Sequence, residues 1–232
     1  MSRHFLIRLP LTTPVVLTHR TTLDAILAAQ IFDETQDLDL AISNIPLERE
    51  HGIWCGSSVF LEKPVLVDEI IVGSSVRATS LDPALIRPKG TGRYVAIDPR
   101  GGDYRNRQSF MHAHATPAAY FMGSGDLDEV RRLMRTMTGM GKRRNSGFGQ
   151  IDMAAAEFRP LDYPRQQGTL MLSDGTPSRP VPVDVWADMK SLAPVLRANV
   201  RFEPPYNLTE AVDCVLPTHQ NIDADRVNSL LM

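Results

Sequence analysis

Four glycines and three cations fall within the eleven residues Gly139, Met140, Gly141, Lys142, Arg143, Arg144, Asn145, Ser146, Gly147, Phe148 and Gly149. Glycine admits positive φ and lets backbone approach a ligand closely. Consecutive N–H groups in such a stretch can face anionic oxygens. Lys and Arg add charge and, for Arg, a fork that suits phosphate. Phe148 can stack on a base or pack beneath the loop. RNA phosphates are the expected ligand, and a solvated basic turn stiffened by glycine is the plainer alternative. The stretch is not a Walker A motif, because Lys142 is followed by Arg143 and not by Ser or Thr. It follows a helical pattern and precedes a strand pattern, the reverse of a dinucleotide-binding turn.

Other residues offer weaker chemistry. Arg87, Lys89, Arg93, Arg100, Arg105 and Arg107 lie near Tyr94 and Tyr104. Cations interleaved with aromatics suit a flexible single strand, and a solvated loop fits equally well. Metal-free RNA cleavage needs a general base and acid around a 2′-hydroxyl, and His serves near neutral pH. His112 and His114 are two apart on an expected strand, which puts both rings on one face. His19 stands just before the first expected helix. Asp24, Asp33, Glu34, Asp37 and Asp39 read as a solvated helix end with no distant partner for a two-metal site. Cys55 and Cys214 are far apart and lack metal-like spacing, which argues against a zinc site or a disulfide framework. No metal or cofactor is expected. Trp54 and Trp186 are read as core or interface anchors.

Elements must hold these groups in place. His4 to Leu9 alternates as a strand with Phe5, Ile7 and Leu9 on one face. Thr22 is placed as the N-cap of a helix whose stripe is Leu23, Ile26, Leu27 and Ile31. Strands are expected over Ile53–Leu61 and Glu69–Arg77, with a turn at Glu62-Lys63-Pro64. Residues 80–108, rich in Pro, Gly and Arg, form a long connection. Phe110–Phe121 reads as a strand leading to a helix. Asp126, with Glu129 three residues on, caps that helix, whose buried face is Leu127, Val130, Leu133, Met134 and Met137. Gly139 is the expected C′ residue. Gln150–Phe158 reads as the last strand, Gly168–Ser173 as a further one, and Val183–Lys190 as a short strand or helical turn.

The order strand, helix, strand, strand, helix, strand is the βαββαβ arrangement of a ferredoxin-like (RRM-like) α+β fold. Residues 1–160 are expected to form that domain with a thumb-like insertion at 80–108. Residues 161–232 are expected to be an irregular, β-rich C-terminal extension packed on it. With 232 residues and a net charge of −2, bulk attraction cannot hold nucleic acid, so any RNA site must be a local basic patch. The N-terminal apolar stretch is too short and too charged for a signal peptide. No run approaches the ~18 apolar residues of a membrane helix. A cytoplasmic location, with no membrane partner, is expected.

The glycine-rich loop after the second helix of such a domain resembles the signature of the RAMP superfamily of CRISPR-associated proteins. Further blocks resemble its type IV Cas-five family. They are Pro14-Val15-Val16-Leu17 running into Thr22–Ala28, Pro46-Leu47-Glu48-Arg49, Ile53-Trp54-Cys55-Gly56-Ser57-Ser58, Ala119–Asp126 and Pro204-Pro205-Tyr206. Only the loop is specific to the superfamily; the other blocks decide the family. The resemblance implies a subunit of a type IV effector ribonucleoprotein, acting in antiviral defence. It would cap the 5′ handle of a CRISPR RNA and dock on the backbone and large subunits. Target DNA near the protospacer-adjacent end is a further candidate partner. In related proteins the equivalent of 80–108 is a thumb that intrudes between RNA bases. Cleavage normally belongs to another subunit. A metal-independent CRISPR RNA endonuclease of the same superfamily is the alternative, since its nucleases can carry a catalytic group where His19 lies. An RRM-shaped general RNA binder would carry aromatic RNP motifs, which these strands lack.

Overall fold

Alternation in β1 (Arg3–Pro10) sends Phe5, Ile7 and Leu9 into one core and Leu6 into another. The computed structural model describes residues 3–17, 21–74, 88–89, 93–94, 107–161, 169–206 and 208–227. Helices α1 (Leu23–Thr35) and α2 (Leu38–Ser43) follow β1. Then come β2 (Arg49–Glu50), β3 (Ile53–Trp54), β4 (Phe60–Glu62), β5 (Leu66–Ser74), β6 (Pro88–Lys89), β7 (Arg93–Tyr94), β8 (Arg107–Ala115) and β9 (Ala118–Gly125). Helix α3 (Leu127–Met134) leads to β10 (Glu157–Pro160) and β11 (Val181–Pro182). Helix α4 (Val183–Asp188), β12 (Leu196–Val200), β13 (Val212–Leu216) and β14 (Asn221–Ile222) complete the chain. The fold is mixed α+β.

The chain divides into two units: Met1–Val67 with His114–Met232, and Asp68–Ala113. The first holds a five-stranded sheet in the order β10-β1-β9-β4-β14. Its neighbours run antiparallel except β14, which is parallel to β4. In the centre Ile7 stands opposite Phe121 on one side and Phe158 on the other. One sheet face packs on α1 and α3, burying Phe5, Ile7, Leu27, Ile31, Phe121, Leu133 and Met134. Full burial of each such side chain contributes about 1.5–3 kcal/mol. The opposite face, with Leu6, Phe60, Tyr120, Met122 and Ile222, is covered by Leu161, Leu172 and Val227. A three-stranded sheet, β11-β13-β12, forms a third cluster with Leu170, Val181, Trp186 and Val215 against Ile53. The second unit contains most of the β5–β8 ribbon and the β6–β7 pair.

Several element boundaries differ from expectation. The strand expected over Ile53–Leu61 splits into β3 and β4. Between them the hydroxyl of Ser57 accepts from Met122 N at 2.9 Å, and Ser58 N donates to Ser178 O. The strand expected from Gln150 starts only at Glu157, because Asp152 accepts from Ala154 N and Ala155 N and caps a 3₁₀ turn over Met153–Ala155. Phe110–Phe121 holds parts of two strands, parted at Thr116-Pro117. Gly168–Ser173 is no strand where described: Asp174 closes a turn on Thr176 at 3.0 Å and 2.6 Å. Val183–Asp188 is helical.

Asp126 caps α3, accepting from Asp128 N and Glu129 N. Glu129 does not complete a capping box; its carboxylate turns to Arg132 at 2.9–3.0 Å. Helix α3 ends at Met134 with Arg135 as its C-cap, so Gly139 is not its C′ residue. Thr22 stands at the N-cap of α1 without a capping bond; its hydroxyl meets Tyr206 OH at 2.7 Å. The acidic run is not simply a solvated helix end. Asp24 is fully buried, Asp37 caps α2, and Glu34 bridges to Arg132 at 3.0 Å. Cys55 and Cys214 are both buried, and neither forms a disulfide among the described residues. Among the described residues, no helix is long and apolar enough to cross a membrane.

Candidate nucleic-acid interface

The glycine-rich loop is stitched at its base. Met140 N donates to Gly149 O at 2.9 Å, and Gly139 pairs with Gln150. The segment after β1 closes over it: Gly149 N donates to Pro14 O and Lys142 N to Val16 O, at 2.8 and 2.7 Å. Gly149 has φ +67, and a Cβ there would strike Met140 O; at Gly141, φ +80, it would strike Val16 O. These close approaches explain why glycine stands at both positions. Arg143, itself left-handed at φ 63, starts a 3₁₀ turn over Arg144–Ser146, and its carbonyl accepts from Ser146 N and Phe148 N.

That internal bonding occupies much of the loop's backbone. The N–H groups of Met140, Lys142, Ser146, Gly147, Phe148 and Gly149 are all committed to protein carbonyls. Those six amides are therefore turned inward, and the exposed side chains of Lys142 and Arg144 carry the loop's outward charge.

A cleft of about 500 Å³ lies between α1 and the loop. Lys142 and Arg144 line it, and Arg201 joins them from just after β12. All three side chains are exposed, and among the described residues none has an acidic partner. Arg8, Arg131, Arg132 and Arg179, by contrast, are each paired with a carboxylate. Unneutralised charge beside a cleft attracts an anion. Arg143 and Phe148 are half-buried and Asn145, Ser146 and Gly147 exposed; none of these five lines the cleft.

Beneath the cleft is a buried ion pair that composition alone does not announce. Arg179 and Asp24 are both fully buried, with two N–O contacts of 3.0 and 3.2 Å. The guanidinium also donates to Trp54 O, Gly56 O and Phe202 O. Burial by itself would lower the Arg179 pKa, but the Asp24 carboxylate outweighs it and holds the group above its ordinary value. Tyr206 OH donates to Asp24 at 3.1 Å, and burial pushes the phenol well up. Tyr206 lines the cleft, so the pair anchors segment 202–206, next to Arg201, onto α1.

The other candidates fall elsewhere. Arg87, Arg100, Arg105, Tyr104 and His19 lie outside the described residues. Lys89 is on β6, Arg93 on β7, and Arg107 is exposed on β8; all three belong to the second unit. His112 and His114 are on β8, and His114 exchanges backbone bonds with Val15 at 2.8 and 2.9 Å. His114 is not among the residues lining the cleft. Among the described residues, no three His, Cys, Asp or Glu side chains are grouped to hold a metal ion.

The sequence reading gave no site role to Arg201, Tyr206, Gln30 or the Arg179–Asp24 pair. One signal was available: Asp24 lies on the same helical face as Leu27 and Ile31, where a carboxylate demands a buried cation. No protein-family model matches the chain, and no curated protein matches it.

Proposed function

We propose that this chain is the RNA-binding subunit of a type IV CRISPR effector ribonucleoprotein, holding the 5′ handle of a CRISPR RNA in the cleft between α1 and the glycine-rich loop. One observation carries this: three cations that have no acidic partner among the described residues, Lys142, Arg144 and Arg201, line one cleft beside that loop. The strand order β10-β1-β9-β4, with α1 after β1 and α3 after β9, supports a ferredoxin-like assignment, in which the loop precedes the last strand. An RRM-style site gains no support. That mode stacks bases on an open sheet face, and here the face opposite the helices is covered by Leu161, Leu172 and Val227. In the same proposal the protein is cytoplasmic, docks on backbone and large subunits, and leaves RNA cleavage to another subunit.

The test is co-expression with the neighbouring genes and the repeat array, followed by sequencing of RNA that copurifies. Enrichment of repeat-derived 5′ ends is the expected result. Recovery of no RNA, or of RNA without repeat sequence, would contradict the assignment.

A further inference from the structure

The cleft is not purely ionic. Ala25, Ile26 and Ala29 of α1 form one wall, and Met137 and Met140 line it too. Phosphate recognition has no use for apolar walls. A nucleobase does, since its faces are apolar and its edges hydrogen-bond. Methionine is a polarisable, adaptable surface against an aromatic ring. The volume, about 500 Å³, lies in the usual small-ligand range of about 300–1,000 Å³. Gln30 supplies the polar element. It is only 9% exposed and it lines the cleft. A side-chain amide carries both a donor and an acceptor, which a base edge can meet together.

We propose that the cleft receives one nucleobase turned out of its stack, its edge against Gln30 and its flanking phosphates on Lys142, Arg144 and Arg201. This rests on the RNA-binding assignment above and names its ligand: single-stranded RNA presenting an unstacked base. Duplex RNA, whose bases are paired and stacked, cannot enter.

The experiment measures binding by anisotropy at fixed salt for a 12-nucleotide single-stranded RNA, a ribose-phosphate oligomer of equal length without bases, and a blunt RNA duplex. AMP and UMP are added by calorimetry. Two variants are compared: Ala25→Leu/Ala29→Leu, which fills the slot without charge change, and Gln30→Ala. Leucine is chosen because an aromatic could itself stack on a base. Ala29 is exposed and Ala25 half-exposed, so both positions tolerate a longer side chain.

The single strand is expected to bind about tenfold tighter than the base-free oligomer, the order of one accommodated base. That advantage should vanish in the filled variant and shrink in Gln30→Ala, with the salt slope unchanged. If wild-type protein binds both oligomers equally, the base slot is refuted while RNA binding through phosphates stands; this comparison needs no variant to fold. Binding of AMP or UMP without RNA would support the slot and refute the RNA-binding assignment. Binding of none of these ligands would refute both.

Discussion

Arg179 grips Asp24 with both terminal nitrogens, Nη1 to Oδ1 at 3.0 Å and Nη2 to Oδ2 at 3.2 Å, and neither side chain reaches solvent. Each charge is tolerable inside only because the other is there. Removing one partner of a buried pair costs about 3–5 kcal/mol, whereas replacing both with apolar groups can be neutral. Asp24→Asn and Arg179→Met should each lower the denaturation midpoint strongly in chemical unfolding. The double variant Asp24→Leu/Arg179→Met should recover much of the loss. Additive losses would show that the two residues do not act as a pair.

The same pair anchors Tyr206 beside the cleft. Tyr206→Phe removes the hydroxyl that bonds Thr22 and Asp24 but keeps the ring. A loss of about 1.5–3 kcal/mol is expected, the usual scale for one hydrogen bond to a charged group. Unchanged stability would mean that the hydroxyl is solvated in solution.

Gly147 and Gly149 separate dihedral cost from steric cost. Both have positive φ, +86 and +67, but a Cβ at Gly147 meets nothing within 4 Å while one at Gly149 strikes Met140 O. Gly147→Ala should cost about 1–2 kcal/mol from backbone conformation alone. Gly149→Ala should cost clearly more and loosen the loop, which amide exchange at Met140 and Lys142 would report. Equal costs for the two variants would contradict this geometry.

Cys55 gives a pH-dependent readout. Burial pushes its thiol from 9.0 to about 12, with Glu50 and Glu48 adding to the rise. The thiol is the favoured form inside, so its contribution to stability is intact below the unfolded pKa. It falls as pH climbs from there through about 12. Iodoacetamide at pH 8.5 should leave Cys55 unmodified in the folded protein and label it readily in urea. Rapid labelling without denaturant would contradict the burial.

How much of this was legible in the sequence differs by element. Phe5, Ile7 and Leu9 alternate over a full strand, and Asp126 precedes a stripe of apolar residues, so β1 and α3 were readable from period and cap. The loop was readable because glycine and arginine density is a local property. Boundaries failed where one side chain diverts the backbone, as Asp152 and Ser57 do. The roles of Arg179 and Tyr206 were not legible because each bonds Asp24 of α1 across more than 150 residues of chain, and no local pattern encodes such a meeting.

The account stands most directly on the salt dependence of RNA binding. The slope of log affinity against log salt should be measured for a repeat-derived 5′-handle RNA with wild-type protein and with Lys142→Ala/Arg144→Ala/Arg201→Ala. Each phosphate contact on a single strand contributes about 0.7 to that slope. Loss of three should reduce its magnitude by about 2 and weaken binding, while Arg143→Ala, outside the cleft lining, changes it little. A folded triple variant with the wild-type affinity and slope would contradict the account.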